Sequence, residues 1–244
     1  MDSITFLDLS APQLAAAFTI VVASSLVQAA SGMGFGLIAP LLLIDPVFVP
    51  SVILLVATPA ALQMALKHRS CLVYGDITFA LAGRFLGALA ASQIIVFLSD
   101  PRAFSQVFAI SLLLTVVASL FRWKLPLTPP VLVSAGIISG IASTITTQGG
   151  PPLALVYQAS PPQKARANLS AIMGLGAVIS VITLWSFGLL GLRHVFLAIT
   201  LAPAALAGWF IARFFEAYMD RSFRPMILGL CTLSATIVLW KSFV

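Results

Sequence analysis

Thr146-Thr147-Gln148-Gly149-Gly150-Pro151-Pro152 interrupts a long apolar run, and Ser31-Gly32-Met33-Gly34-Phe35-Gly36 does the same earlier in the chain. Each stretch breaks a helix, since glycine is a poor helix former and proline belongs in a first helical turn. A short apolar piece follows each break, 37–44 and 150–159. At about 1.5 Å per residue these pieces reach only about 12–15 Å, half a membrane. A spanning helix needs about 20 mostly apolar residues. Eight runs of that kind surround the breaks, near 12–31, 47–66, 77–98, 103–121, 131–147, 168–187, 195–212 and 225–243.

Composition points the same way. The 244 residues are 60% hydrophobic and 8% charged, against about 25% charged in a soluble domain. A soluble globule of this composition could not cover its surface with polar groups. A disordered chain would need far less apolar residue. The expected fold class is therefore an all-α polytopic membrane protein. The net charge of +6 comes from basic residues in short clusters between apolar runs. Such clusters set membrane topology and do not imply nucleic acid. Cys71 and Cys231 lie far apart without a CxxC partner, so no disulfide framework or metal site is expected. The segment Met1–Ala11 has Asp2 and Asp8 in place of a basic n-region, so no cleaved signal peptide is expected.

The two halves share a plan: a long helix, a glycine break, a short helix and three long helices. Pro40 and Pro152 lie 112 residues apart, Asp100 and Asp220 lie 120 apart, and Phe104 and Phe223 lie 119 apart. Similar offsets at several landmarks lead to an expectation of duplication. The polar segment 122–130 divides the chain into membrane repeats 1–124 and 125–244, together one transporter domain.

Charge tests the orientation of the halves. Suppose each long first helix and its short partner form a hairpin that returns to its starting side. Loops 67–76, 122–130, 160–167 and 213–224 then share one side, with nine basic residues: Lys67, Arg69, Arg122, Lys124, Lys164, Arg166, Arg213, Arg221 and Arg224. The other side holds three, Arg102, Arg193 and Lys241. If only the eight long helices cross, the same residues split six to six. Basic residues favour the cytoplasm, so the expectation is two inverted repeats in the cytoplasmic (inner) membrane, multi-pass, with both termini outside. Inverted repeats with broken helices are a transporter architecture, and paired breaks point to the substrate site.

The breaks offer anion chemistry. Free backbone NH groups stand where each short helix begins, and glycine lets a ligand approach the backbone. Gln28, Ser31, Gly32, Gly34 and Gly36 are expected to line one side of a central site. Thr147, Gln148, Gly149, Gly150 and Pro151 are expected to line the other. Small residues also serve close helix packing in membranes, which is the competing reading of each break. Arg84 is the one charge well inside a long helix, about 10 Å from the inner end of span 77–98. It is a candidate for added positive charge at the site, with snorkelling or structural pairing as the alternative. No Asp or Glu lies mid-span, so carboxylate proton relays are missing. His68 and His194 read as solvated loop residues. No hydrolase, zinc-protease or P-loop motif occurs, so no enzyme activity, cofactor or metal is expected.

With those residues in view, Gln28-Ala29-Ala30-Ser31-Gly32-Met33-Gly34-Phe35-Gly36-Leu37-Ile38-Ala39-Pro40 resembles the first signature of the TauE/SafE sulfite exporter family, also called TSUP. Ser139-Gly140, Gly149-Gly150-Pro151-Pro152 and Arg166-Ala167-Asn168 resemble its second signature and the arginine that follows. The family usually has further glycines ahead of Gly150, where this chain has Thr144 and Thr147, and such hydroxyls bear on substrate choice. The resemblance implies export of sulfite or related sulfur-containing and organic sulfonate anions across the cytoplasmic membrane. The partners implied are a small anionic substrate and the lipid bilayer, with no nucleic acid; a homo-oligomer is compatible. Other readings of the same residues are a passive anion channel, an uptake permease, or a membrane scaffold whose breaks only pack.

Overall fold

The computed structural model describes residues 11–31, 49–97, 106–107, 110–111 and 125–215. Among these residues seven helices run in chain order: α1 (Ala11–Ser31), α2 (Val49–Lys67), α3 (Tyr74–Phe97), α4 (Pro129–Thr146), α5 (Gly150–Tyr157), α6 (Pro162–Ser186) and α7 (Leu192–Phe215). A 3-10 turn, Arg69–Cys71, joins α2 to α3. Among the described residues five helices are long and apolar enough to cross a membrane: α2, α3, α4, α6 and α7. The expected short helix 37–44, the long helices 103–121 and 225–243, and Gly32, Gly34 and Gly36 lie outside the described residues.

Two spans are longer than their apolar cores. The third long helix begins at Tyr74, three residues before the expected 77. The sixth begins at Pro162, where an apolar count placed loop residues up to 167. Proline fits a first turn because its missing NH would have no helical partner there. Lys164 and Arg166 thus stand on the first turns of α6, not in a loop.

The bundle exposes apolar side chains outward. Phe97, Trp185, Phe85, Ile182, Ile199 and Leu206 are exposed, as suits helices whose outer surface meets lipid hydrocarbon. Its interior is closed by small residues instead. Gly83-x-x-x-Gly87 on α3 meets Gly136-x-x-x-Gly140 on α4. A Cβ on Gly83 would lie 3.0 Å from Gly136 Cα, and one on Gly87 would lie 3.0 Å from Gly140 Cα. Backbones that approach this closely associate through packing, in the absence of a hydrophobic drive between helices in lipid. The register advances the same way on both helices, so α3 and α4 run parallel.

That direction fixes the path of the second break. Leu132 and Ala135 near the start of α4 share one core with Val156 and Tyr157 at the end of α5. The chain therefore enters α4 and leaves α5 at the same end of the bundle. Asn168, on α6 and fully buried, marks that end. Its Oδ1 accepts from Val73 N at 2.8 Å, and its Nδ2 donates to Cys71 O at 3.1 Å and Lys164 O at 2.8 Å. One amide thus ties the α2–α3 connection to the start of α6.

The helix pairings exchange when the halves are swapped. In the two-half plan expected from the sequence, α1 would correspond to α4, α2 to α6 and α3 to α7. The pair α3–α4 has its counterpart in α1–α7, α3–α6 has its counterpart in α2–α7, and α2–α6 maps onto itself. On the α1–α7 side, Ser25 Oγ donates to Ala205 O at 2.6 Å.

Two substitutions test this packing. In Gly87→Val the added atoms meet the backbone of Ile137 and Gly140. Backbone cannot step aside, so a loss of about 3 kcal/mol or more is expected, read as a collapsed melting transition in detergent. Gly75→Ala, with nothing within 4 Å, is the silent control. Asn168→Ala strands a buried NH and carbonyls, so a loss of about 2–3 kcal/mol is expected. Its melting temperature should fall while flux per folded molecule is kept.

Candidate functional site

α4 ends at Thr146, and Thr147 turns the chain in the left-handed region at φ 63°. Its N–H still closes the last helical turn on Ser143 O at 2.9 Å. A threonine in this conformation costs about 1–2 kcal/mol, a strain the surroundings must hold. Gln148 follows, 2% exposed, and then Gly149 caps α5. Pro151 and Pro152 occupy the first turn of α5, as the sequence reading expected.

Arg84 lies against this break. It sits ten residues into α3, about 15 Å along an axis of about 36 Å. The earlier start of α3 therefore puts Arg84 deeper than the sequence count did, near mid-span. Its side chain does not snorkel, and the residue is 1% exposed. Nη1 donates to Ser139 Oγ at 2.7 Å and to Met173 Sδ at 3.5 Å, and Nη2 donates to Ser143 Oγ at 2.9 Å. Nε is buried with no acceptor among the described residues. Ser139 Oγ, while accepting from Arg84, donates to Gly149 O at 2.5 Å. The guanidinium is therefore wired to the break through one hydroxyl.

Glycines make the space. A Cβ on Gly149 would lie 2.8 Å from Arg84 Nη1. A Cβ on Gly176 of α6 would fall on Nε and lie 2.7 Å from Arg84 Cδ. One guanidinium thus gathers α3, α4, the break and α6. One layer further along, Thr144 Oγ1 donates to Ser180 Oγ at 2.9 Å, both side chains buried.

Asp76 is the one acid among the described residues. It lies two turns before Arg84, about 12 Å along the helix, and does not pair with it. Burying a cation without an opposite charge costs several kcal/mol even where hydroxyls accept its protons. A position of that kind in a membrane span is a functional candidate by default.

Of the expected site residues, the structure brings Arg84 onto the break that holds Thr147, Gln148, Gly149, Gly150 and Pro151. Gln28 is buried on α1 and is not among the hydrogen-bond partners of Arg84. Ser31 is the last residue of α1. Ser139, Ser143, Met173 and Gly176 were not among the expected lining residues. A signal for the serines was present: Gly136, Ser139, Gly140 and Ser143 follow helical spacing and form one small, polar face. His194 is more than a solvated loop residue, since its Nδ1 accepts from Gly191 N at 3.0 Å and caps α7.

A search of curated proteins and one of solved structures gave no match. The family model described as "Sulfite exporter TauE/SafE" matches residues 16–238, nearly the whole chain. Members of that family are transporters and not enzymes, and the long apolar helices make this chain a multi-pass membrane protein. The chain belongs to the TauE/SafE sulfite exporter family of membrane transporters.

Proposed function

We propose that the protein is a secondary exporter of sulfite or related sulfur-containing and sulfonate anions, with its site where two glycine-broken helices meet beside Arg84. The observation that carries this reading is the Arg84 guanidinium, buried at mid-span against the second break, whose partners among the described residues are all neutral. Such a cation attracts an anion, and the glycines let the anion reach the backbone. Gln28, Ser31, Gly32, Gly34 and Gly36 line the site from the first half in this reading.

Two inverted repeats, 1–124 and 125–244, provide the alternating access. The exchange of helix pairs between halves supports them. The Asn168 contacts support the hairpin topology, because they hold connection 67–73 beside the start of α6. Crossing by eight long helices alone would separate these segments by a membrane. Both termini then lie outside, with the nine basic loop residues in the cytoplasm. An inside-negative potential favours outward movement of each negative charge by about 2.3 kcal/mol per 100 mV. Export therefore needs no carboxylate relay.

The test is flux in sealed liposomes. Gly34→Leu and Gly150→Leu should each abolish it while membrane insertion is retained. Normal flux in both well-inserted variants would remove the breaks from the site.

A further inference from the structure

We infer that the transported species is monovalent, one negative charge for each Arg84. This deepens the transport reading and rests on it. The charge at the site limits what it can hold. Arg84 contributes one positive charge, and its hydrogen-bond partners Ser139, Ser143 and Met173 are neutral. The described acid, Asp76, stands two turns away on the same helix. The other six acids, Asp2, Asp8, Asp45, Asp100, Glu216 and Asp220, all fall outside the eight long apolar runs.

Duplication does not supply a second cation. The offset of 120 that relates Asp100 to Asp220 carries Arg84 to Ala204, which is flanked by Pro203 and Ala205. Ala204 is fully buried on α7. The basic residues of α7, Arg193 and Arg213, stand near its two ends. The charged half of the site is therefore asymmetric.

Helix ends leave the count unchanged. The carboxyl end of α4 and the amino end of α5 both stand at the break. Their partial charges, about half an elementary charge each and of opposite sign, offset one another. Among the described residues, Nε–H and one Nη2–H of Arg84 have no acceptor, since Nη1 already serves two partners. Two N–H groups of one guanidinium form a fork for two oxygens of one oxyanion. A second negative charge on that anion would enter the span without a partner.

The experiment compares methanesulfonate, monovalent at every relevant pH, with sulfate, divalent throughout, and with sulfite, which changes from hydrogensulfite to the dianion as pH rises. The full chain in liposomes is clamped at a series of voltages. Methanesulfonate flux should exceed sulfate flux by about 100-fold, because an unpartnered buried charge is so costly. Its voltage dependence should correspond to one charge per molecule. Sulfite flux, divided by methanesulfonate flux at each pH, should fall as the hydrogensulfite fraction falls. Arg84→Lys keeps the charge and should keep the monovalent preference at a lower rate. Sulfate flux comparable to methanesulfonate flux, or sulfite flux rising with the dianion, overturns the monovalent assignment and leaves the transport reading standing. No flux of any of the three anions from folded protein overturns both.

Discussion

Arg84→Met is expected to abolish anion flux and to leave the protein about as stable as the parent. Methionine keeps much of the apolar stem and removes the cation. The parent holds a guanidinium, 1% exposed, whose partners among the described residues are two serine hydroxyls and a thioether, with Nε unsatisfied there. Hydrogen bonds to a charged group return about 1.5–3 kcal/mol each, against a burial cost of several kcal/mol for the ion. Removing the ion therefore relieves about as much as it forfeits. Flux is another matter. The site loses its one charge, and a fall of at least about 100-fold is expected where one buried charge pair is lost. Flux in liposomes and thermal unfolding in detergent are measured on the same preparation. A structural arginine gives the opposite pattern: a lowered melting temperature, with flux per folded molecule retained.

Gly176→Ala has the second large effect, and it is a displacement. The new Cβ falls where Arg84 Nε now lies, with Cζ 2.5 Å away. The obstructing atoms belong to the far end of a flexible side chain, so the guanidinium moves and the helices stay. The hydroxyls of Ser139 and Ser143 lose their donor, and Ser139 is left bonded to Gly149 O alone. A misplacement of about 1 Å can cost about 100-fold in a positioned site, and flux should drop on that scale. The melting temperature should move little, in contrast to Gly87→Val, where the obstacle is backbone. A Gly176→Ala protein with parental flux would mean that the position of Arg84 is unimportant to transport.

The apolar runs were legible because membrane spans are long and uniform. Runs near 12–31, 47–66, 77–98, 131–147, 168–187 and 195–212 all correspond to helices of the structure, and the second short helix lies at Gly150–Tyr157. Their ends were less legible. Tyr74 and the Pro162–Ala167 segment are helical although an apolar count stops short of them, since polar first turns extend beyond the hydrocarbon. The break at Thr147–Gly149 was visible from its glycines and prolines. Its partner was not, because no local pattern says which face of α4 meets which face of α3. The two four-residue glycine spacings, Gly83 to Gly87 and Gly136 to Gly140, hold that information. Read as a pair, they place Arg84 beside Ser139 and Ser143. Gly176 could not be foreseen, because its role is to leave room for a side chain 92 positions earlier.

The most direct test of the central claim is flux of a small anion panel through the wild-type protein. Sulfite, thiosulfate, a two-carbon sulfonate, sulfate and acetate are loaded in sealed liposomes under an imposed membrane potential and pH gradient. Saturable flux of a sulfur oxyanion that follows the voltage is expected, and it should be lost in Arg84→Met. Folded protein that moves none of these anions, or flux that persists in Arg84→Met, would contradict it.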